Sequence, residues 1–236
     1  MSTERRFAAV LFDLGGVVFP SPFDAFDRYD ERAGIEVGFT RSLIRTSSET
    51  GAWAALERSE LSMPEFFAAL EAEATERGQS ISAAKIMVTI AEESGPRPAM
   101  VHAIRTLRAE GFRVGALTNN WAQESGDSTP PGMSELDLFH AVIESAKEGL
   151  RKPDPRIYEL ALSRLGASAT ETVFLDDLGI NLKPARAMGM ATIKVVDHRV
   201  AIAELAATLD IDLSEPDHRA PNGARAGKEA KQETHE

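Results

Sequence analysis

The stretch FAAVLFDLGG, Phe7 to Gly16, decides the fold. From Phe7 to Phe12 every residue is apolar, with no polar alternation, which is the pattern of a strand buried on both faces of a parallel sheet. Asp13 ends the run, and Gly15 and Gly16 break it. Four more runs of the same kind follow at Arg113 to Leu117, Ala141 to Ile143, Thr172 to Leu175 and Ala191 to Val196. Between them lie segments of helical period. Arg97 to Glu110 places Met100, Val101, Ile104 and Leu107 on one face and stops at Gly111. Pro155 to Leu165 does the same with Ile157, Leu160, Ala161 and Leu165, then stops at Gly166. Glycine is the usual residue just past a helix end. Strand and helix in alternation predict an α/β fold, a doubly wound, Rossmann-like parallel sheet of five strands.

About eighty residues after the first strand contain no strand pattern. They predict an inserted α-helical cap, with helices over Phe23 to Ala33, Thr40 to Ser47, Gly51 to Arg58, Met63 to Arg77 and Ser82 to Glu93. In LSMPEFF the serine and Pro64 suit a helix start. The expected division is a core of residues 1–19 and 97–213, a cap of 20–96 and a disordered tail of 214–236. The tail lacks large apolar residues and mixes Pro, Gly, Lys and Glu. Trp53, Phe66 and Phe67 are expected in the core of the cap, since large aromatics mostly serve packing. Trp121 is left open between packing and facing a substrate.

The 236 residues carry no cysteine, which excludes thiolate metal sites, cysteine nucleophiles and disulfides, and a cytoplasmic protein is expected. The N-terminal apolar run is interrupted by Asp13 and reads as a strand, not a signal peptide. No stretch reaches the roughly 18 to 20 apolar residues of a membrane span. A net charge of −11 argues against nucleic acid or an anionic membrane as partner. The five histidines are scattered and none follows a strand in a motif position, so they read as surface or packing residues.

Open parallel sheets bind ligands beyond the carboxyl ends of their strands. Read together, those ends carry Asp13 in FDLGG, Thr118 and Asn119 in ALTNN, Lys152 in EGLRKPDP, and Asp176 with Asp177 in VFLDD. Singly, each fits a turn or a helix cap. The adjacent pair Asp176 and Asp177 is different, because two carboxylates at a strand mouth repel unless a cation is near. The set suits phosphoryl transfer to a carboxylate. One aspartate attacks phosphorus, a magnesium ion held by carboxylates neutralises charge, and a hydroxyl, amide donors and an ammonium hold the phosphoryl oxygens.

These motifs, in this order and with helices inserted after the first, resemble the haloacid dehalogenase-like (HAD) superfamily over about residues 7 to 213. VIESAKEGLRKPDPRIYELALSRLG and VFLDDLGINLKPARAMGMATIKV look like the HAD domains that begin soluble epoxide hydrolase and a fused acyl-CoA dehydrogenase family; FDLGGVVFPSP is closer to the latter. The resemblance implies a Mg²⁺-dependent phosphatase acting on a small phosphorylated metabolite. Asp13 would be the nucleophile and a metal ligand, with the Gly15 carbonyl and Asp177 as further ligands. Thr118, Asn119 and Asn120 would bind phosphate, Lys152 would stabilise the transferring group, and Asp176 would support metal or lysine.

One position departs from the pattern. Where HAD phosphatases usually carry a second aspartate that protonates the leaving oxygen, this chain has Gly15. Such a group is worth about 10² to 10⁴ in rate. Three readings stay open: substrates with good leaving groups, a proton from a cap residue such as Asp24, Asp27 or Glu49, or a module that binds phosphorylated ligands with little turnover. A 2-haloacid dehalogenase is the remaining alternative. That branch works without metal and usually has a tyrosine at the Gly15 position.

Overall fold

The computed structural model describes residues 5–47, 49–92, 95–121 and 137–215. Strand β1 (Ala9–Phe12) is fully buried and sits at the centre of a five-stranded sheet. After β1 come five helices, α1 (Pro22–Ala33), α2 (Phe39–Thr46), α3 (Ala52–Glu57), α4 (Met63–Glu76) and α5 (Ala83–Ala91). The chain continues through α6 (Pro98–Ala109), β2 (Arg113–Thr118), β3 (Ala141–Glu144), α7 (Ser145–Glu148) and α8 (Pro155–Leu165). A single 3₁₀ turn leads into β4 (Thr172–Asp176), then α9 (Gly179–Ala187), β5 (Ala191–Lys194) and α10 (His198–Leu209). Strand order is β3-β2-β1-β4-β5 and each neighbouring pair is parallel.

Period two along β1 sorts its side chains onto two cores. Val10 and Phe12 join Val114, Ala116, Val173 and Leu175 beneath α6 and α10. Ala9 and Leu11 join Leu117, Ile143 and Phe174 beneath α8 and α9. Burial on both faces is why these strands read as continuous apolar runs. Gly115 on β2 has a steric reason: a Cβ there would lie 2.8 Å from Leu11 Cδ2.

The helices α1 to α5 pack around a third cluster that includes Phe26, Leu43, Trp53, Phe66, Leu70 and Ile86. Trp53 stacks edge-on against Phe26 at 5.2 Å and Phe66 at 5.6 Å. Phe67 packs on the same cluster, partly buried. Trp121 packs against the same cluster and meets Trp53 edge-on at 5.7 Å. Fully buried Asp30 fixes α1 to α2, its carboxylate accepting the Thr40 hydroxyl (2.5 Å) and the Thr40 and Gly38 N–H groups (3.1 and 3.0 Å).

Three helices had no sequence signal assigned, namely α7, α9 and α10. Pro184 stands inside α9 and masks its apolar period. α10 follows β5 closely; its start is marked by Asp197, whose carboxylate accepts the N–H groups of Arg199 and Val200. Strand β1 begins two residues later than expected and β5 ends two earlier, at Lys194. Of the expected tail, all but Ser214 and Glu215 lies outside the described residues. No helix among the described residues is long and apolar enough to cross a membrane.

Candidate active site

The sheet brings its carboxyl ends together at one edge, and the polar residues of four loops meet there. Lys152, with 1% of its surface exposed, reaches Asp13 Oδ2 at 2.8 Å and Asp176 Oδ2 at 2.7 Å. The other oxygen of Asp13 accepts the Leu14 N–H at 2.6 Å. Asp176 is fully buried and saturated, since it also accepts the Leu178 N–H (2.8 Å) and the Asn181 amide (3.0 and 3.1 Å). Asp177 is held by the Ser21 hydroxyl at 3.4 Å. Oxygens of Asp13, Asp176 and Asp177 lie within 4.8 Å of one another.

The loop after β1 makes this approach possible. Gly16 takes φ +77°, and a Cβ there would stand 2.3 Å from Asp177 Oδ2. Arg97 ties the loop down, donating at 2.8 Å to the carbonyls of both Gly16 and Val17. Gly15 lies in ordinary backbone, and its Cβ would meet only Pro22 Cδ at 3.5 Å.

After β2, the Asn119 amide clamps the backbone of Lys152, accepting its N–H at 2.8 Å and donating to its carbonyl at 3.1 Å. Asn120 is committed elsewhere: its amide bonds Glu144 (2.8 Å) and the Ala146 N–H (3.3 Å), and its own N–H donates to Ser145 Oγ (2.9 Å). Thr118 is buried at the end of β2, its hydroxyl 3.4 Å from the Asn119 carbonyl.

A cleft of about 490 Å³ opens on this edge. Its lining includes Asp13, Gly15, Asn119, Lys152 and Asp177 from the sequence-derived set, but not Thr118, Asn120 or Asp176. The helices contribute Phe23, Phe26, Arg41, Arg45, Trp53 and Glu57. None of Asp24, Asp27 or Glu49 lines it; Asp27 is paired with Arg41 at 2.6 Å and Asp24 stands 4.0 Å from the same guanidinium. The carboxylate from the helical insertion that does line it is Glu57, buried and bonded to Arg151 (2.6 Å) and Trp53 Nε1 (3.0 Å). Sequence reading missed Glu57, Arg41 and Arg45, which no strand-end motif marks, Arg151, which stands beside Lys152 in EGLRKPDP, and Lys194, which ends β5 but fell inside a strand read as far as Val196.

Burial pushes the Asp13 carboxyl well above the usual carboxylate range; Lys152 draws it down, and Asp176 and Asp177 push it further up. Burial, then the Asp176 charge, lifts Asp177 to about 6 despite Lys152. Burial works against the Lys152 ammonium, but the Asp13 and Asp176 carboxylates outweigh it and the net shift is upward. One ammonium is thus paired with two carboxylates while a third, Asp177, stands within 4.8 Å of them. An all-oxygen cluster short of positive charge fits a hard divalent cation such as Mg²⁺.

A pH dependence follows. Asp177 titrates higher in the folded chain than in the unfolded one, so the fold binds extra protons between the ordinary value of 3.8 and about 6. The metal-free protein should therefore lose thermal stability as pH rises through that window. A cation such as Mg²⁺ held there would bind the ionised form, so its stabilising effect should grow over the same range. Melting curves at pH 4.5 and 7, each with EDTA or Mg²⁺, measure this; a Mg²⁺ effect equal at both pH values would contradict it.

An α/β sheet that gathers three carboxylates and a buried lysine beside a cleft at its carboxyl edge is enzyme architecture. A family model described as haloacid dehalogenase-like hydrolase matches residues 7–189, and the chain belongs to that family. It is similar to mouse acyl-CoA dehydrogenase family member 10, 35% identical over 90% of this chain and 20% of the relative. It is also similar to pig bifunctional epoxide hydrolase 2, 33% identical over 87% of this chain and 39% of the relative. The chain thus spans well under half the length of these two proteins. A sesquiterpene phosphatase of Aspergillus oryzae is 30% identical over 84% of this chain and 95% of its own. Among solved structures, a Bacteroides thetaiotaomicron HAD family enzyme in complex with magnesium and inorganic phosphate shares the fold (TM-score 0.55, 21% identity, 80% of this chain and 93% of that one). So does a dehalogenase (TM-score 0.65, 19% identity, 89% of this chain and 100% of that one).

Proposed function

We propose that this HAD-like hydrolase is a Mg²⁺-dependent phosphatase acting on a small phosphorylated metabolite, with Asp13 as nucleophile. The observation that carries it is the cluster of Asp13, Asp176 and Asp177 around the single Lys152 ammonium at the cleft. A metal-free dehalogenase has no use for three converging carboxylates, whereas phosphoryl transfer needs cations to meet its charge. Helices α1 to α5 serve as the cap over the core.

In this reading a carboxylate oxygen of Asp13 attacks phosphorus and the bond from phosphorus to the leaving oxygen breaks, giving an aspartyl phosphate. Water then attacks phosphorus, releasing phosphate and restoring the Asp13 carboxylate. Lys152, fixed between Asp13 and Asp176, offers its ammonium to the phosphoryl oxygens. Thr118 donates its hydroxyl to the phosphate, Asn119 sets the backbone of Lys152, and Asn120 holds the loop rather than the ligand. Asp13, the Gly15 carbonyl and Asp177 are the metal ligands of this proposal, and Mg²⁺ there would supply charge to the phosphoryl oxygens and help keep Asp13 ionised.

Phosphate release from p-nitrophenyl phosphate, with Mg²⁺ and with EDTA, tests the reading; equal release in both sinks it. Gly15 favours a second reading, a module that binds phosphorylated ligands and turns over slowly. Tight Mg²⁺-dependent binding of a phosphate mimic without turnover of acyl phosphates or esters would select that one. The two meet in Gly15→Asp, which the ordinary backbone and open Cβ position admit. It should raise turnover of alkyl phosphates, whose leaving groups need a proton, by about 10² or more. Unchanged turnover in a folded variant would place the proton source elsewhere.

A further inference from the structure

The chain carries a net charge of −11, yet at the cleft five cationic side chains balance five carboxylates, Asp13, Glu57 and Asp177 in the lining and Asp176 and Asp27 paired just behind it. Three of those cations are engaged: Lys152 with Asp13 and Asp176, Arg151 with Glu57, and Arg41 with Asp27 and the Phe23 carbonyl. The other two, Arg45 and Lys194, are exposed and have no hydrogen bond or ion pair among the described residues. A divalent ion at Asp13 and Asp177 would tip that balance to positive.

Both side chains are placed by regular structure. Arg45 stands one helical turn beyond Arg41 on α2, so the two share a face. Lys194 ends β5 in register with Asp176, at the same sheet edge as the carboxylate cluster. One comes from the helical insertion and the other from the sheet. The same cleft also carries an apolar lining that includes Phe23, Phe26, Ile44 and Trp53. A volume of about 490 Å³ admits a whole metabolite rather than a phosphate ion alone.

Resting on the phosphatase reading above, we infer that the substrate is a phosphate monoester with a second anionic group, a carboxylate or a second phosphate, bound by Arg45 and Lys194. The phosphate to be transferred sits at Asp13 and Lys152, a short carbon skeleton runs along the aromatic wall, and the second anion meets the two unpaired cations. A substrate without that group would leave those cations unmatched and would bind more weakly.

Matched pairs of compounds test this. 2-Phosphoglycolate is compared with ethyl phosphate, and propane-1,3-diyl bisphosphate with 3-hydroxypropyl phosphate, under Mg²⁺. The expected result is a preference of about tenfold or more in kcat/KM, expressed in KM, for the member with two anionic groups in at least one pair. Which pair responds says whether the second anion is carboxylate or phosphate. In the double variant Arg45→Gln, Lys194→Gln the preference should fall close to one. A wild-type preference below threefold in both pairs overturns the proposal, and so does a preference that survives the double variant while both members slow equally, since the cations would then only steer anions inward. If even p-nitrophenyl phosphate gives no Mg²⁺-dependent release, it is the phosphatase reading that fails. The same pairs are then compared by calorimetric binding to the Mg²⁺-loaded wild-type and double-variant proteins, with the same two outcomes deciding.

Discussion

Asp13→Asn is expected to abolish turnover while leaving the metal-free fold at least as resistant to heat as the wild type. The amide is not a nucleophile toward phosphorus, so the rate should fall by about 10⁴ or more, a barrier increase of roughly 5 kcal/mol. The effect on stability runs the other way. Burial makes the ionised Asp13 unfavourable in the folded chain, and Asp176 and Asp177 add to that cost. A neutral amide of the same shape removes the buried charge, and Lys152 keeps Asp176 at 2.7 Å. At pH 7 in EDTA the melting temperature should hold or rise, with each 1 kcal/mol worth about 2–4 °C in a chain of this size. Calorimetry alongside a phosphate-release assay measures both. A drop of several degrees would show instead that the Lys152 to Asp13 pair is a net stabiliser.

Lys152→Ala is expected to do the opposite, lowering activity and stability together. The ammonium is the one cation paired with Asp13 and Asp176 among the described residues, and it is buried. Removing one partner of a buried pair leaves uncompensated charge and costs about 3–5 kcal/mol. Here two carboxylates lose the same partner. With the ammonium gone, nothing draws the Asp13 carboxyl down, so the folded chain holds a proton there more tightly. The variant should regain stability as pH falls from 7 toward 5, and Mg²⁺ should restore part of it at pH 7. A melting temperature within a few degrees of wild type at pH 7 would mean that the cluster tolerates its charge unaided.

The sheet was legible because burial on both faces writes strands as unbroken apolar runs, and because Gly111 and Gly166 mark two helix ends plainly. The strand-end motifs were legible for a topological reason, since parallel strands deliver their carboxyl ends to one edge. Asp13, Lys152, Asp176 and Asp177 could be grouped before any coordinates. Glu57, Arg151, Arg45 and Lys194 could not. Arg45 and Glu57 reach the cleft only through α2 and α3, an approach that no spacing in the chain encodes, while Lys194 was hidden by reading β5 two residues too long. The sequence also did not show what Asn120, expected on phosphate from the resemblance, does in the fold, where its amide meets Glu144 and Ala146.

Arg151 and Lys152 are consecutive, and each is gripped by a different part of the molecule. Asn119 at the end of β2 fixes the Lys152 peptide units, while Glu57 on α3 holds the Arg151 guanidinium. Glu57 also lies 3.4 Å from the Asn119 amide. A tilt of α3 would therefore pull on the peptide that carries the ammonium. If α1 to α5 recognise the ligand as proposed, recognition and chemistry are joined through Glu57, and selectivity need not reside in affinity alone. A ligand that seats α3 would then also align the ammonium that its own phosphate requires.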